Sequence, residues 1–111
     1  MKVKIVFLIF ILIFLAGCSS SAPGKYDAFA DCLATAGAVM YGSEWCGHCK
    51  NQKEMFGSSF KYIAYVDCDR SEQLCFNAGV MGFPTWVING ENYPGERNFY
   101  ELSQLSGCKL T

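Results

Sequence analysis

Two cysteines separated by two residues carry the most specific chemistry in this chain: Cys46 and Cys49 in Trp45-Cys46-Gly47-His48-Cys49-Lys50. A helix-forming run, Lys50 to Met55, follows directly. At a helix start this spacing puts the first sulfur at the exposed tip and the second one turn inside, close enough to close a small disulfide ring. Unpaired backbone N–H groups and the positive end of the helix dipole favour a thiolate on the first sulfur. His48, between the cysteines, adds a donor or a positive charge that favours the same anion. Stabilising the thiolate makes the reduced form more comfortable and the disulfide a better oxidant. The pattern therefore predicts a redox dithiol, with Cys46 as the attacking or attacked sulfur and Cys49 as the resolving one.

A lone C-x-x-C is also half of a zinc site, or a structural bridge. Zinc needs two more ligands at suitable spacing, and this chain has one His, inside the motif, and no second C-x-x-C. A second signal agrees with redox chemistry. Pro84, 35 residues after Cys49, stands in Gly82-Phe83-Pro84-Thr85 directly before the β-rich run Thr85 to Ile88. A Pro at a strand start ordinarily marks an edge or a turn. Here the distance also suits a loop that folds back over the dithiol.

These motifs resemble the thioredoxin superfamily. More narrowly, the chain resembles the thioredoxin-like domain fused to, or encoded as partner of, bacterial and plant homologues of vitamin K epoxide reductase. The matching residues are Phe29 to Leu33, Val39 to Gly42, Trp45 to Cys49, Gln52-Lys53, Phe56 to Phe60, Tyr62, Tyr65 to Cys68 and Gly82 to Trp86, within about residues 25–110. The resemblance implies a cis-Pro at Pro84 that presents backbone to a substrate cysteine. Around it, Phe83 and Thr85 are either substrate-groove residues or ordinary strand packing, and Trp45 and Gly47 flank the sulfur as contact surface. It implies no cofactor. It implies cysteine-containing exported proteins as substrates and a vitamin K epoxide reductase-like membrane oxidase as the partner that recharges the disulfide. It also implies a second cysteine pair. Cys68 at a strand end and Cys75 in the following helix could close one loop, structurally or as a second redox relay, with a free Cys75 as the remaining alternative. Cys32 and Cys108 are left to pair across the two ends of the domain. Two departures stand out. Gly47 occupies a place where the subfamily more often has Pro, giving the C-G-H-C of the disulfide isomerases. Met40, six residues before Cys46, stands where thioredoxins and isomerases carry a buried carboxylate. A slower or differently assisted step through Cys49 is expected.

The rest of the chain must position the dithiol. Residues 1–17 read as a signal peptide: Lys2 and Lys4, the apolar run Ile5 to Leu15, then Leu15-Ala16-Gly17 before Cys18. The run is short for a membrane span. It is similar to a bacterial lipoprotein signal, with Cys18 as the lipidated new N-terminus; an uncleaved anchor or an incidental Cys are the alternatives. Residues 18–24 then form a small, polar tether, and 25–111 one domain. Asp27 to Ala34 predicts a helix with Phe29, Cys32, Leu33 and Ala36 inward and Asp27 and Asp31 outward, ended by Gly37. Ala38 to Tyr41 predicts a buried strand. A helix over Cys46 to Phe56 breaks at Gly57-Ser58-Ser59, and Tyr62 to Val66 is a second strand. Ser71 with Glu72 opens a helix to Ala78. Asn89-Gly90 marks a hairpin between Thr85 to Ile88 and Asn92-Tyr93, and Asn98 to Leu105 is a last helix. Tyr41, Tyr62, Tyr65, Trp86 and Phe99 are expected in the core, and Lys50 and Lys53 on a solvated or cationic helix face. The order gives an α/β class. With the resemblance it becomes a compact thioredoxin-like fold, β-α-β-α-β-β-α with an extra N-terminal helix and a central mixed sheet, expected as a monomer.

Composition narrows the function. A chain of 111 residues has room for one small domain and a leader, and its net charge is −1. Without Lys2 and Lys4, seven basic residues face ten acidic ones. No basic stripe interleaved with aromatics points to nucleic acid. Seven cysteines in this length suggest disulfides once the chain is outside the cytoplasm, and with Cys18 lipidated an even six remain. The expected function is a membrane-anchored thiol–disulfide oxidoreductase acting outside the cytoplasm. The alternatives are a reductase or isomerase and, from a different class, a metal-binding lipoprotein holding copper or zinc through Cys46 and Cys49.

Overall fold

A computed structural model describes residues 22–110. The leader, Cys18 and the first part of the tether lie outside these residues. The elements in order are α1 (Asp27–Thr35), β1 (Val39–Gly42), α2 (Gly47–Phe56), a 3-10 helix (Gly57–Tyr62), β2 (Ala64–Asp67), α3 (Glu72–Asn77), β3 (Thr85–Ile88), β4 (Glu91–Pro94) and α4 (Phe99–Ser106). The four strands form one mixed sheet in the order β2-β1-β3-β4. β1 pairs in parallel with β2 (Met40 beside Tyr65) and antiparallel with β3 (Met40 beside Trp86). The β1-α2-β2 crossover therefore carries the dithiol out from the central strand, which ends at Gly42 just before it. Asn89 and Gly90 both take positive φ (53° and 78°), as the tight β3–β4 hairpin requires.

One core joins the layers. Phe29, Ala30 and Leu33 of α1, Met40 of β1, Phe56 of α2, Trp86 and Ile88 of β3 and Leu102 of α4 are buried together. Phe56 is its hub, with ring centroids 4.7 Å from Phe99, 6.2 Å from Trp86, 6.3 Å from Phe60 and 6.4 Å from Phe29. The C-terminal end of α2 is thus anchored in aromatic packing while its N-terminal end presents the dithiol. Cys32 and Cys108, 76 residues apart, are disulfide-bonded and tie α1 to the segment after α4. Cys68 and Cys75 are bonded across the β2–α3 loop. The sequence had left that pair open between a structural bridge, a relay and a free Cys75.

Several local expectations shift. Gly57 to Tyr62 continues as a 3-10 helix and the strand begins at Ala64. The reason is Ser59: it is fully buried, accepts from Tyr26 N–H (2.9 Å) and donates to Asp27 (2.8 Å), so the segment turns against α1 rather than extending. Asp27 therefore faces this contact and not solvent. It also accepts from Gly24 N–H at 2.8 Å, which packs the end of the expected tether onto the domain. Tyr62 is consequently 41% exposed and no part of the core. On α1, Ala30 is buried and Ala36 exposed, because the inward face runs 29, 30, 33 and the helix stops at Thr35. Ser71 precedes α3 without a side-chain cap bond. Asn98 caps α4, accepting from Glu101 N–H at 2.8 Å.

Candidate active site

The dithiol is asymmetric. Cys46 is the N-cap of α2 and Cys49 lies one turn inside. Cys46 Sγ accepts from Cys49 N–H at 3.1 Å, the capping role that an oxygen side chain usually fills, and its thiol reaches the Phe83 carbonyl at 3.5 Å. Cys46 is half-buried and Cys49 fully buried, both as free thiols. Burial above all pushes the Cys49 thiol up to about 12, and its hydrogen bond to Cys46 adds to this; a backbone bond from Ser43 and the charge of Lys53 pull the other way. Only Cys46 is open to an incoming sulfur, so exchange begins there and Cys49 closes or opens the ring from within.

The loop before the dithiol is pinned from across the sheet. Ser43 Oγ donates to Asp69 at 2.7 Å, and Glu44 N–H donates to the same oxygen at 3.3 Å. Asp69 follows Cys68, whose N–H is held by the Gly42 carbonyl at 2.8 Å and whose sulfur is tied to Cys75. Both cysteines of that bridge are buried, so it braces the site rather than facing a substrate.

His48 is 74% exposed, and its Nδ1 lies 2.6 Å from a Glu96 carboxylate oxygen. The expected thiolate-stabilising histidine is therefore itself held by a carboxylate from the segment after β4. Gln52 places that segment. Fully buried on α2, it accepts from Trp86 Nε1 (3.0 Å) and Arg97 N–H (2.7 Å) and donates to the Arg97 carbonyl (3.0 Å). Gln52 stands among the residues that carry the resemblance but had no role assigned, and Glu96 and Asp69 lie outside the C-x-x-C window with no local pattern to mark them.

The Phe83–Pro84 bond is cis. Phe83 is 42% exposed next to Cys46 and Trp45 is 89% exposed, so both offer apolar surface at the reactive sulfur. Gly47 is exposed at the helix start. Pro84 and Thr85 have buried side chains, and Thr85 Oγ1 donates to the Gly82 carbonyl at 2.8 Å. The Thr85 side chain thus shapes the loop and does not line a groove. Lys53, expected on a solvated or cationic helix face, lies 4.1 Å over the Tyr65 ring and 3.7 Å from Glu44. Among the described residues, no three His, Cys, Asp or Glu side chains converge to hold a metal ion.

The family model for thioredoxin matches residues 24–105. The chain belongs to the thioredoxin family. The domain is of the thiol–disulfide oxidoreductase type, and its half-buried Cys46 and buried Cys49 stand as free thiols. Among curated relatives, the chain is 40% identical over 101 residues to thiol-disulfide oxidoreductase LTO1 of Arabidopsis thaliana, covering 83% of this chain and 27% of the plant protein. It is 38% identical over 81 residues to protein disulfide isomerase-like 2-2 of Oryza sativa subsp. japonica, covering 60% of this chain and 22% of that protein. It thus spans about a quarter of the length of these relatives. The crystal structure of thioredoxin NaTrxh from Nicotiana alata superposes with a TM-score of 0.50 at 20% identity, covering 78% of this chain and 93% of that chain, a likeness of fold alone.

Proposed function

We propose that this protein is an extracytoplasmic, lipid-anchored thiol–disulfide oxidoreductase that forms disulfides in exported proteins. A membrane oxidase like vitamin K epoxide reductase then recharges it. The observation that carries the reading is the asymmetry of the dithiol, Cys46 accessible at the helix tip and Cys49 buried behind it. A substrate thiolate attacks Sγ of Cys46 in the Cys46–Cys49 disulfide. A bond forms between the substrate sulfur and Cys46, and Cys49 leaves as a thiolate that takes a proton. The substrate's second thiolate then attacks its own sulfur in the mixed disulfide. This releases an oxidised substrate and a reduced enzyme. The membrane oxidase takes the electron pair from the dithiol. Location is supported by Leu15-Ala16-Gly17-Cys18 and by two further disulfides, which persist in oxidising compartments.

A second reading, isomerase or reductase, is favoured by one observation: the C-G-H-C sequence shared with disulfide isomerases, alongside the match to the rice protein. Trapping tests the site and its compartment, and the reduction potential separates the two readings. Full-length protein carrying Cys49→Ala should accumulate mixed disulfides through Cys46 with exported proteins, and Cys46→Ala should abolish them. Lipid labelling should mark the wild type and be lost in Cys18→Ser. Capture of cytosolic proteins, or no lipid on Cys18, contradicts the proposal.

A further inference from the structure

Cys49 must carry a negative charge whenever it attacks or leaves, yet it sits at 0% exposure with its thiol pushed strongly upward by burial. The fully buried Met40 on β1 supplies no polar atom to this region. Its register partner on β2 is Tyr65. In the dithiol form the Tyr65 hydroxyl is buried and, among the described residues, has no hydrogen-bond partner. An orphaned buried hydroxyl is unusual, because leaving it unpaired costs free energy. Gly42 shows where this hydroxyl lies. A Cβ on Gly42 would stand 3.1 Å from the Cys49 sulfur and 3.2 Å from the Tyr65 hydroxyl, so both border the same small space above a residue with no side chain. Lys53, on the same helix as Cys49, lies 4.1 Å over the Tyr65 ring and is itself paired with Glu44. Phe60 packs against the ring with centroids 5.6 Å apart. The ring is thus held from two sides while its hydroxyl stays free.

We propose that the Tyr65 hydroxyl is the hydrogen-bond donor that receives Cys49 as a thiolate, with Lys53 positioning the ring. When a substrate thiolate attacks Cys46, the Sγ–Sγ bond breaks and Cys49 departs with the electron pair. The Tyr65 O–H then donates to that sulfur until it takes a proton from water. In the reverse direction the same bond stabilises the Cys49 thiolate before it attacks Cys46 in the mixed disulfide and expels the substrate sulfur. The phenol remains a phenol throughout. Burial above all, then the negative charges of Glu44 in the loop before α2, Asp67 on β2, Cys49 and Asp69 beyond β2, hold its proton in place well above the usual tyrosine range. The role serves either direction of electron flow and rests only on dithiol exchange in this domain.

The test follows the two sulfurs separately in the full-length protein. Glutathione release from a Cys46–glutathione mixed disulfide reports the Cys49 step, and iodoacetamide alkylation of the reduced protein reports Cys46. Tyr65→Phe is expected to slow release at least about tenfold at neutral pH, the size of a lost hydrogen bond to a charged group, with alkylation unchanged. Tyr62→Phe, at an exposed tyrosine, should change neither. Release at the wild-type rate in Tyr65→Phe overturns the proposal, and so does a parallel fall of both rates, which marks a structural role. The unsubstituted protein gives an independent reading if the variant does not fold. The Tyr65 13Cζ resonance of the dithiol form should move with the same midpoint as Cys49 ionisation, and a resonance that ignores that ionisation overturns the proposal.

Discussion

At the scale of the residue, the two sulfurs of one motif live in different media. Cys46 borders solvent and Cys49 is enclosed, which is why burial pushes Cys49 up to about 12. Because the raised value means that the proton stays on, only a small thiolate fraction exists at neutral pH. That fraction grows about tenfold per pH unit. Release of a mixed disulfide by Cys49 should accordingly climb steadily from pH 6 to pH 9 in stopped-flow experiments, and a plateau below pH 8 contradicts the burial argument. Glu96 is the other residue with consequences, since its carboxylate faces His48 at 2.6 Å. Removing that negative charge from the neighbourhood of the reactive thiolate favours the reduced form. Glu96→Gln should raise the reduction potential by up to about 20 mV, the scale of an exposed ion pair, in a glutathione redox titration. A lower potential would mean that Glu96 acts by orienting His48 instead. Cys46, Cys49 and His48 were legible in the sequence because a helix start brings near neighbours together. Glu96 was not, because it stands 48 positions and three strands further along the chain than His48.

At the scale of the element, α2 does two jobs, and its buried polar residue links them. Gln52 holds Trp86 of β3 and both backbone groups of Arg97, next to Glu96. Gln52→Leu strands three buried polar groups and should cost about 3 kcal/mol in urea unfolding. Asn51→Ala, on the exposed side of the same helix, should stay within about 0.5 kcal/mol. The two staples differ in reach, with Cys32 and Cys108 76 positions apart and Cys68 and Cys75 7 positions apart. On the chain-entropy account, removing the first destabilises by about 4.5 kcal/mol and the second by about 2.5 kcal/mol. The second removal should also loosen the Asp69 bonds to Ser43 and Glu44 and so slow exchange. Period and turn signals made most elements readable: the Asn89-Gly90 hairpin and α2 stand where the sequence puts them. The 3-10 helix was not readable, because Ser59 turns the chain only through a contact with Asp27, 32 residues away. Tyr62 outside the core and Lys53 over the Tyr65 ring are likewise set by tertiary packing.

At the scale of the whole molecule, a small mixed sheet and four helices among the described residues hold one dithiol at a rim. One sulfur faces outward between Trp45 and Phe83, and two bonded cysteine pairs brace the frame. The class of fold followed from the order of strands and helices, and its topology from the resemblance carried by Trp45 to Cys49 and Pro84. Direction of electron flow belongs to neither, since it turns on a few kcal/mol of difference between dithiol and disulfide. The central claim is that this difference favours the dithiol enough to make the disulfide an oxidant. The reduction potential of Cys46–Cys49 in the full-length protein, equilibrated against glutathione, tests it most directly. A value of about −200 mV or higher is predicted, in the range of disulfide-forming and isomerising proteins. A value near the −270 mV or so of thioredoxin would contradict the account and make the protein a reductase that needs a supply of electrons.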